Sequence, residues 1–348
     1  MRDRVYLDWN ATTPLRPEAR VAMNAAMDAV GNPSSVHAEG RAARAIVERA
    51  RAQLADAFGA GRAEIVFTSG ATEAAALALA GRGLAAAPVE HDCVAAWTTP
   101  DLAVGADGRI TAPDPGRCAV QAANSETGIL QDLPSGLAVV DAAQVGGKSP
   151  FVFDATGARA ALLSGHKLGG PKGVGALILA PGAEPTALLR GGGQESGRRA
   201  GTENLVGIAG FGAAAAAAAR DLDAGVWERV AQLRNILECA LEAVAKETIF
   251  IGNGASRLPN TICLATPGWK AESQVMQMDL AGYAVSAGSA CSSGKVRASR
   301  VLQAMGHDAT TAGSAIRVSI GPATSEAEIL SFADAWTGQY RRFRAKAA

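Results

Sequence analysis

Short apolar runs of strand length recur along this chain, and helical patterns fall between several of them. EIVFTS (64–69), CAVQAA (118–123), LAVVDA (137–142), RAALLS (159–164) and GALILA (175–180) are the runs of the first two thirds. Segment 17–30, with Pro17 in its first turn, segment 39–58, closing at Gly59, and ATEAAALALA (71–80) read as helices. This alternation predicts an α/β fold with a mostly parallel central sheet flanked by helices.

Beyond residue 205 the pattern shifts. Segments 206–220 and 223–246 read as long helices, and the second is suited to bridging two lobes. NTICLA (260–265), YAVSAG (283–288) and AIRVSIG (315–321) follow as strands, separated by helices such as ASRVLQAMG (298–306). The expectation is a large domain over 13–222 and a smaller α/β domain over 223–348, with residues 1–12 packing on the smaller one.

Composition removes several function classes. Hydrophobic residues make up 48% of the 348 and charged residues 19%, which is globular. Lys+Arg and Asp+Glu are both 33, so no basic field exists to hold a polyanion, and nucleic acid is not expected as a partner. The start, MRDRVYLDWN, has no apolar stretch of the secretory kind, and the run Ala213–Ala219 is too short to span a bilayer. Cys93, Cys118, Cys239, Cys263 and Cys291 are odd in number and irregularly spaced, with no CxxC. That argues against a disulfide framework or a metal site and fits a reducing, cytoplasmic setting with no membrane attachment.

Four places concentrate chemistry. Lys167, in LLSGHKLGG, lies at a Gly-flanked turn between two apolar runs, where partial desolvation and cationic neighbours favour the neutral amine that attacks carbonyls. The ordinary reading of such a lysine is a solvated turn. Gly70, Ala71 and Thr72 join a strand to a helix start, which is either an anion site or a plain N-cap. Asp141 ends the run LAVVDA, with Gln144 three residues on. His91 follows Val89-Glu90 at another strand end, where a flat ring can stack on a bound group.

Taken together, FTSGATE, VEHDCV, ANSETG, VVDAAQ, SGHK and SAGSACSSG resemble cysteine desulfurases of the NifS/IscS type, in the class V branch of fold-type I enzymes that use pyridoxal 5'-phosphate (PLP). The match runs in order from YLDWNATTP near residue 6 to AIRVSIGPATSEAEI near residue 328. The resemblance implies that Lys167 is the Schiff-base lysine, that Asp141 pairs with the pyridine nitrogen and that Gln144 bonds the ring 3-oxygen. It implies that His91 stacks on the ring and moves protons, and that Ala71, Thr72, Ser164 and His166 hold the phosphate. Asn124 would lie near the ring oxygen and the substrate carboxylate, which Arg317 would bind. Thr202, in GGGQESGRRAGTEN, would touch the phosphate of a second subunit in a homodimer.

Cys291, in AGSACSSGKVR, sits among small residues with Lys295 and Arg297 nearby, a setting for a reactive thiol. By the resemblance it takes sulfur from L-cysteine, leaves L-alanine, and passes a persulfide to an acceptor protein, an iron–sulfur scaffold or a thiolation carrier. The other four cysteines read as inert. The chain is short for such a family, and the stretch between His91 and Asp141 looks trimmed. A selenocysteine lyase, another class V aminotransferase, and an inactive scaffold in sulfur-cluster assembly stand as rival readings.

Overall fold

The computed structural model describes residues 4–288 and 298–347. A five-stranded sheet forms its centre, in the spatial order Glu64–Thr68, Gly175–Leu179, Ala160–Ser164, Val139–Asp141, Ala119–Gln121. The last three pair in parallel, while Gly175–Leu179 is antiparallel to both of its neighbours. Four strands therefore run one way and one is reversed. The reversal has a simple cause: the 165–174 connection is too short to carry the crossover that a parallel neighbour would need.

Each strand feeds two cores, because successive side chains leave opposite faces. Ile65, Phe67, Val140, Ala161, Leu163, Ala176 and Ile178 point to one core. There the helices Pro17–Met27, Ala38–Ala57 and Leu205–Asp223 pack. Val66, Val139, Leu162, Leu177 and Leu179 point to the other, covered by Ala71–Leu79. Burial on both faces explains why these runs are apolar throughout rather than alternating. Leu205–Asp223 is apolar enough to cross a bilayer by length and mean hydropathy, but it lies against two helices with Phe211, Ala214 and Ala215 buried, as a core helix does.

A second sheet, antiparallel throughout, has the order Ser286–Ala287, Ala315–Ser319, Thr261–Ala265, Ile249–Ile251. Its alternation also divides two cores. Ile262, Leu264, Ile316 and Val318 join an aromatic cluster, and Cys263, Ala265 and Ala315 join the core of the large sheet. In the aromatic cluster Trp336 stacks on Tyr340 at 5.4 Å and donates its ring N–H to Gln274 Oε1. The run expected at 283–288 is split: Tyr283–Ala284 pairs in parallel with Val5–Tyr6, and Ser286–Ala287 pairs with Ala315–Ser319.

The N-terminal segment thus runs first along the smaller sheet, where Leu7 is buried in the aromatic core. Trp9 lies flat over Gly321, where a Cβ would come within 2.2 Å of its ring. At Thr13 the main chain has reached the Lys167 turn, donating to the His166 carbonyl. Residues 92–118 carry little: the helix Asp92–Ala95, a hairpin of Ala103–Val104 with Ile110–Thr111, and one turn at Pro115–Arg117.

Trp336→Ala should cost about 3–5 kcal/mol, since it empties a wholly buried indole site and leaves Gln274 without a donor. Val30→Ala, at a position 93% exposed, should stay within about 0.5 kcal/mol. Urea denaturation of both variants measures the contrast.

Candidate active site

The four strands that share a direction end at one edge of the sheet, and a cavity of about 590 Å³ opens there. Its first wall is the turn after Thr68. Ser69 and Gly70 lead into the helix Ala71–Leu79, whose first-turn N–H groups have no acceptor within the helix. Those N–H groups and the positive end of the helix dipole favour an anion at Ala71 and Thr72. Glu73, one residue on, would oppose an anion if it faced the same way. It turns aside, accepting from Ser69 N at 2.7 Å and from Arg199 Nε at 2.8 Å. Burial works to raise the Glu73 carboxyl, but the bonds from Arg199 and Ser69 outweigh it and hold the group below its usual value. Gly175 is what lets this turn lie flat: a Cβ there would come within 2.6 Å of the Gly70 main chain.

The neighbouring strands supply the rest. Ala160–Ser164 ends at Ser164, and the turn Gly165–Lys167 presents His166 and Lys167 to the cavity. Lys167 Nζ donates to the main-chain oxygens of Asn10 at 2.6 Å and Ala11 at 3.0 Å. Burial, then the charges of Lys167, Lys172 and Lys148, push His166 down to about 4, so its ring is neutral at pH 7. Val139–Asp141 ends at Asp141, whose carboxylate accepts from Ala143 N at 2.9 Å. Burial raises Asp141 above its ordinary value; the Ala143 N–H, a protonated His91 and the charge of Lys167 act against this without cancelling it. Gln144 lies just beyond, its Nε2 donating to Asn10 O and its Oε1 accepting from Lys148.

His91 caps the helix Asp92–Ala95 from the opposite side. The Cys93 main-chain N–H, which can only donate, points at His91 Nδ1 at 3.2 Å. Nδ1 is therefore an acceptor, and the neutral ring carries its proton on Nε2. Below it, Glu90 is buried and raised well above the usual carboxyl value, by burial first, with the Asp141 charge adding to it and the Gln121 N–H opposing it.

Ala71, Thr72, His91, Asp141, Gln144, Ser164, His166 and Lys167 thus share one cavity. Three expected residues do not line it. Asn124 is buried behind the wall: its Oδ1 accepts from the N–H groups of Glu126 and Thr127, and its Nδ2 donates to Val89 O. That turn consumes the amide that was expected at the ring oxygen and the substrate carboxylate. Thr202 is exposed and lines a separate pocket with Arg199 and Asn204. Arg317 is buried, donating to Asp8 Oδ1 and to Ser125 O, each at 2.8 Å; its Nε has no partner among the described residues. Cys291 lies outside the described residues.

The structure adds residues that the sequence did not single out. Cys93, read as inert, lines the cavity with its sulfur 3.0 Å from His91 Nδ1. Its place beside His91 in VEHDCV was the available signal. Asn10 is wholly buried and joins Lys167, Gln144 and Lys148. Glu126 accepts from Ser299 at 2.5 Å; burial raises its carboxyl to about 7, against that bond and the charges of Arg317 and Arg300.

The donor set fits PLP. A helix N-terminus suits its phosphate, a buried carboxylate suits its ring nitrogen, an amine suits its aldehyde, and an imidazole stands at the wall.

The family model described as Aminotransferase class-V matches residues 5–97 and 108–332. A cysteine desulfurase of Frankia sp. is 41% identical over 95% of this chain and 90% of its own length. An IscS-like cysteine desulfurase of Mycobacterium tuberculosis is 34% identical over 97% of each chain. The crystal structure of a NifS-like protein from Rickettsia africae superposes with a TM-score of 0.89, at 29% identity, over 97% of this chain and 99% of that one. The chain belongs to the class V aminotransferase family. Within that family its fold is that of the NifS-like enzymes.

Gly175→Ala should weaken PLP binding by at least about tenfold, roughly 1.4 kcal/mol, because the added carbon displaces the Gly70 turn. Titration of the apoprotein with PLP checks this. His166, lowered from 6.5 to about 4, stabilises the fold fully above pH 6.5, and that contribution is lost as pH falls toward 4. His166→Gln should show a shallower fall in urea midpoint across this window.

Proposed function

We propose that this chain is a PLP-dependent cysteine desulfurase that moves sulfur from L-cysteine to Cys291 and on to an acceptor protein, releasing L-alanine. The observation that carries this reading is the convergence of Lys167, Asp141, His91 and the helix N-terminus on one cavity. Ala71, Thr72, Ser164 and His166 would hold the phosphate, and Asp141 the ring nitrogen. When bound, PLP supplies an electron sink that weakens bonds around the α-carbon of an attached amino acid.

The residues of the chain do the rest. Lys167, held by two main-chain oxygens, is placed to carry the cofactor and then to move the α-proton. His91, with its proton on Nε2, passes protons to and from the thiols. The Cys291 thiolate attacks the substrate sulfur: an S–S bond forms, the C–S bond breaks, and its electron pair stays with the carbon that is protonated to alanine. Arg317 has a buried Nε without a partner among the described residues, which supports a role in holding the substrate carboxylate. Thr202, exposed beside Arg199, fits the expectation that it meets a second subunit's phosphate in a homodimer. The acceptor would be an iron–sulfur scaffold or a thiolation carrier. The free buried cysteines suit the cytoplasm.

The test is incubation of PLP-loaded protein with L-cysteine, with alanine and the mass of the Cys291 peptide as readouts. Alanine should form and the peptide should gain one sulfur. Lys167→Ala should lower alanine formation by at least about 10²-fold. Cys291→Ala should abolish sulfur transfer while cysteine still perturbs the cofactor spectrum. Full alanine and sulfur release by Cys291→Ala would overturn the reading, and activity confined to selenocysteine would replace it with a lyase.

A further inference from the structure

Lys148 is 1% exposed and takes no part in the chemistry above. Its amine donates to two amide oxygens, Gln144 Oε1 at 2.7 Å and Asn10 Oδ1 at 3.2 Å. No carboxylate pairs with it among the described residues. The groups whose charge acts on it are Lys167 and Arg317, and it acts in turn on His166. Burial, then these cations, push its pKa well below the ordinary lysine value. Two acceptors meet the amine.

A buried amine without a counter-charge is costly, and an apolar chain of similar length would fill the same space. What the amine does is visible in the far ends of its two partners. An amide whose oxygen is fixed has its NH₂ fixed as well. Gln144 lines the cavity, with Nε2 directed to the Asn10 main-chain oxygen at 3.1 Å. Asn10 Nδ2 is directed to Thr261 Oγ1 at 2.8 Å, and the same Asn10 main-chain oxygen receives Lys167 Nζ at 2.6 Å. Lys148 thus donates to both amides that frame the lysine amine, with Asn10 Oδ1 also accepting from Asn260 Nδ2 at 3.1 Å.

We propose that Lys148 is a positioning residue of the cofactor site, locking the Gln144 and Asn10 amides so that Gln144 keeps an N–H toward the ring oxygen of PLP bound at Lys167. The inference rests on the PLP reading given above. A donor at the ring oxygen favours its anionic form, so the proton shared between that oxygen and the lysine-bound nitrogen leaves at lower pH. Loss of the lock raises that pH.

The experiment is a pH titration of the visible absorbance of the PLP-loaded protein, without substrate. Lys148→Met should raise the midpoint by about one pH unit, a tenfold change in the proton equilibrium. Gln144→Met should raise it by a similar amount, and the double variant should match either single change rather than their sum. A Lys148→Met midpoint equal to the unsubstituted protein's, or strictly additive shifts, would overturn the proposal. If Lys148→Met does not fold, Gln144→Met carries the test alone: an unchanged midpoint there removes the route by which Lys148 acts. An unsubstituted protein that takes up no PLP would instead overturn the functional reading on which this one rests.

Discussion

Asn10 holds the molecule together at the point where chemistry is placed. Its main-chain oxygen receives Lys167 and Gln144, and its side-chain oxygen receives Lys148 and Asn260. Its side-chain nitrogen reaches Thr261, and its main-chain N–H reaches Ser319. These partners come from the lysine turn, from the turns that follow Asp141, and from the smaller sheet and the residue that leads into it. A wholly buried amide must satisfy every donor and acceptor it carries. Here that requirement ties the N-terminal segment, the large sheet and the small sheet into a single geometry. The lysine amine is thus located by the docking of the two sheets and not by its own turn alone.

The electrostatics of the cavity follow from the same crowding. Burial first, and then the charges of Lys167, Lys172 and Lys148, keeps His166 neutral, while burial followed by Lys167 and Arg317 lowers Lys148. An anionic group entering against the helix N-terminus would meet the cations of this cluster and not Glu73, which is engaged with Arg199. On the opposite wall the acids are buried. Glu90 and Asp141 both sit above their ordinary values by burial first, and Lys167 draws Asp141, but not Glu90, back toward ionisation. The cavity is therefore polar in a directed sense, with cations and N–H groups at one end and a carboxylate at the other. That is the charge pattern of a zwitterionic aromatic ligand.

Much of this was legible in the chain. The runs at 64–69, 137–142, 159–164 and 175–180 became strands within a residue at most ends, because each is apolar enough to be buried on both faces. Their C-terminal ends carry Gly70, Asp141 and Ser164, so the edge of the sheet could be read as a site before it was seen. Other features depend on local conformation that composition does not set, or on contacts far apart in sequence. Nothing local in ANSETG says that the Asn124 amide is consumed by its own turn, since the same motif would also suit an amide that faces outward. Cys93 looks like any core thiol until the helix cap places it against His91. Lys148 looks like a loop lysine, because its burial arises from Asn10 across the fold. The split of the 283–288 run comes from the N-terminal strand, which competes for the first half of it.

Arg317 shows why the smaller sheet matters to a site built on the larger one. On the strand Ala315–Ser319, Ile316 and Val318 leave one face into the aromatic core, and Arg317 leaves the other toward Asp8 and Ser125. A slip of one residue in the pairing with Thr261–Ala265 would reverse every side chain on the strand. It would put a guanidinium among Trp269, Trp336 and Phe332, and an isoleucine beside the cavity wall. The aromatic packing that forbids this slip is thus also what fixes the guanidinium against Asp8 and Ser125. Packing in the small core and charge placement at the site are two faces of one strand, so changes in the first are felt in the second.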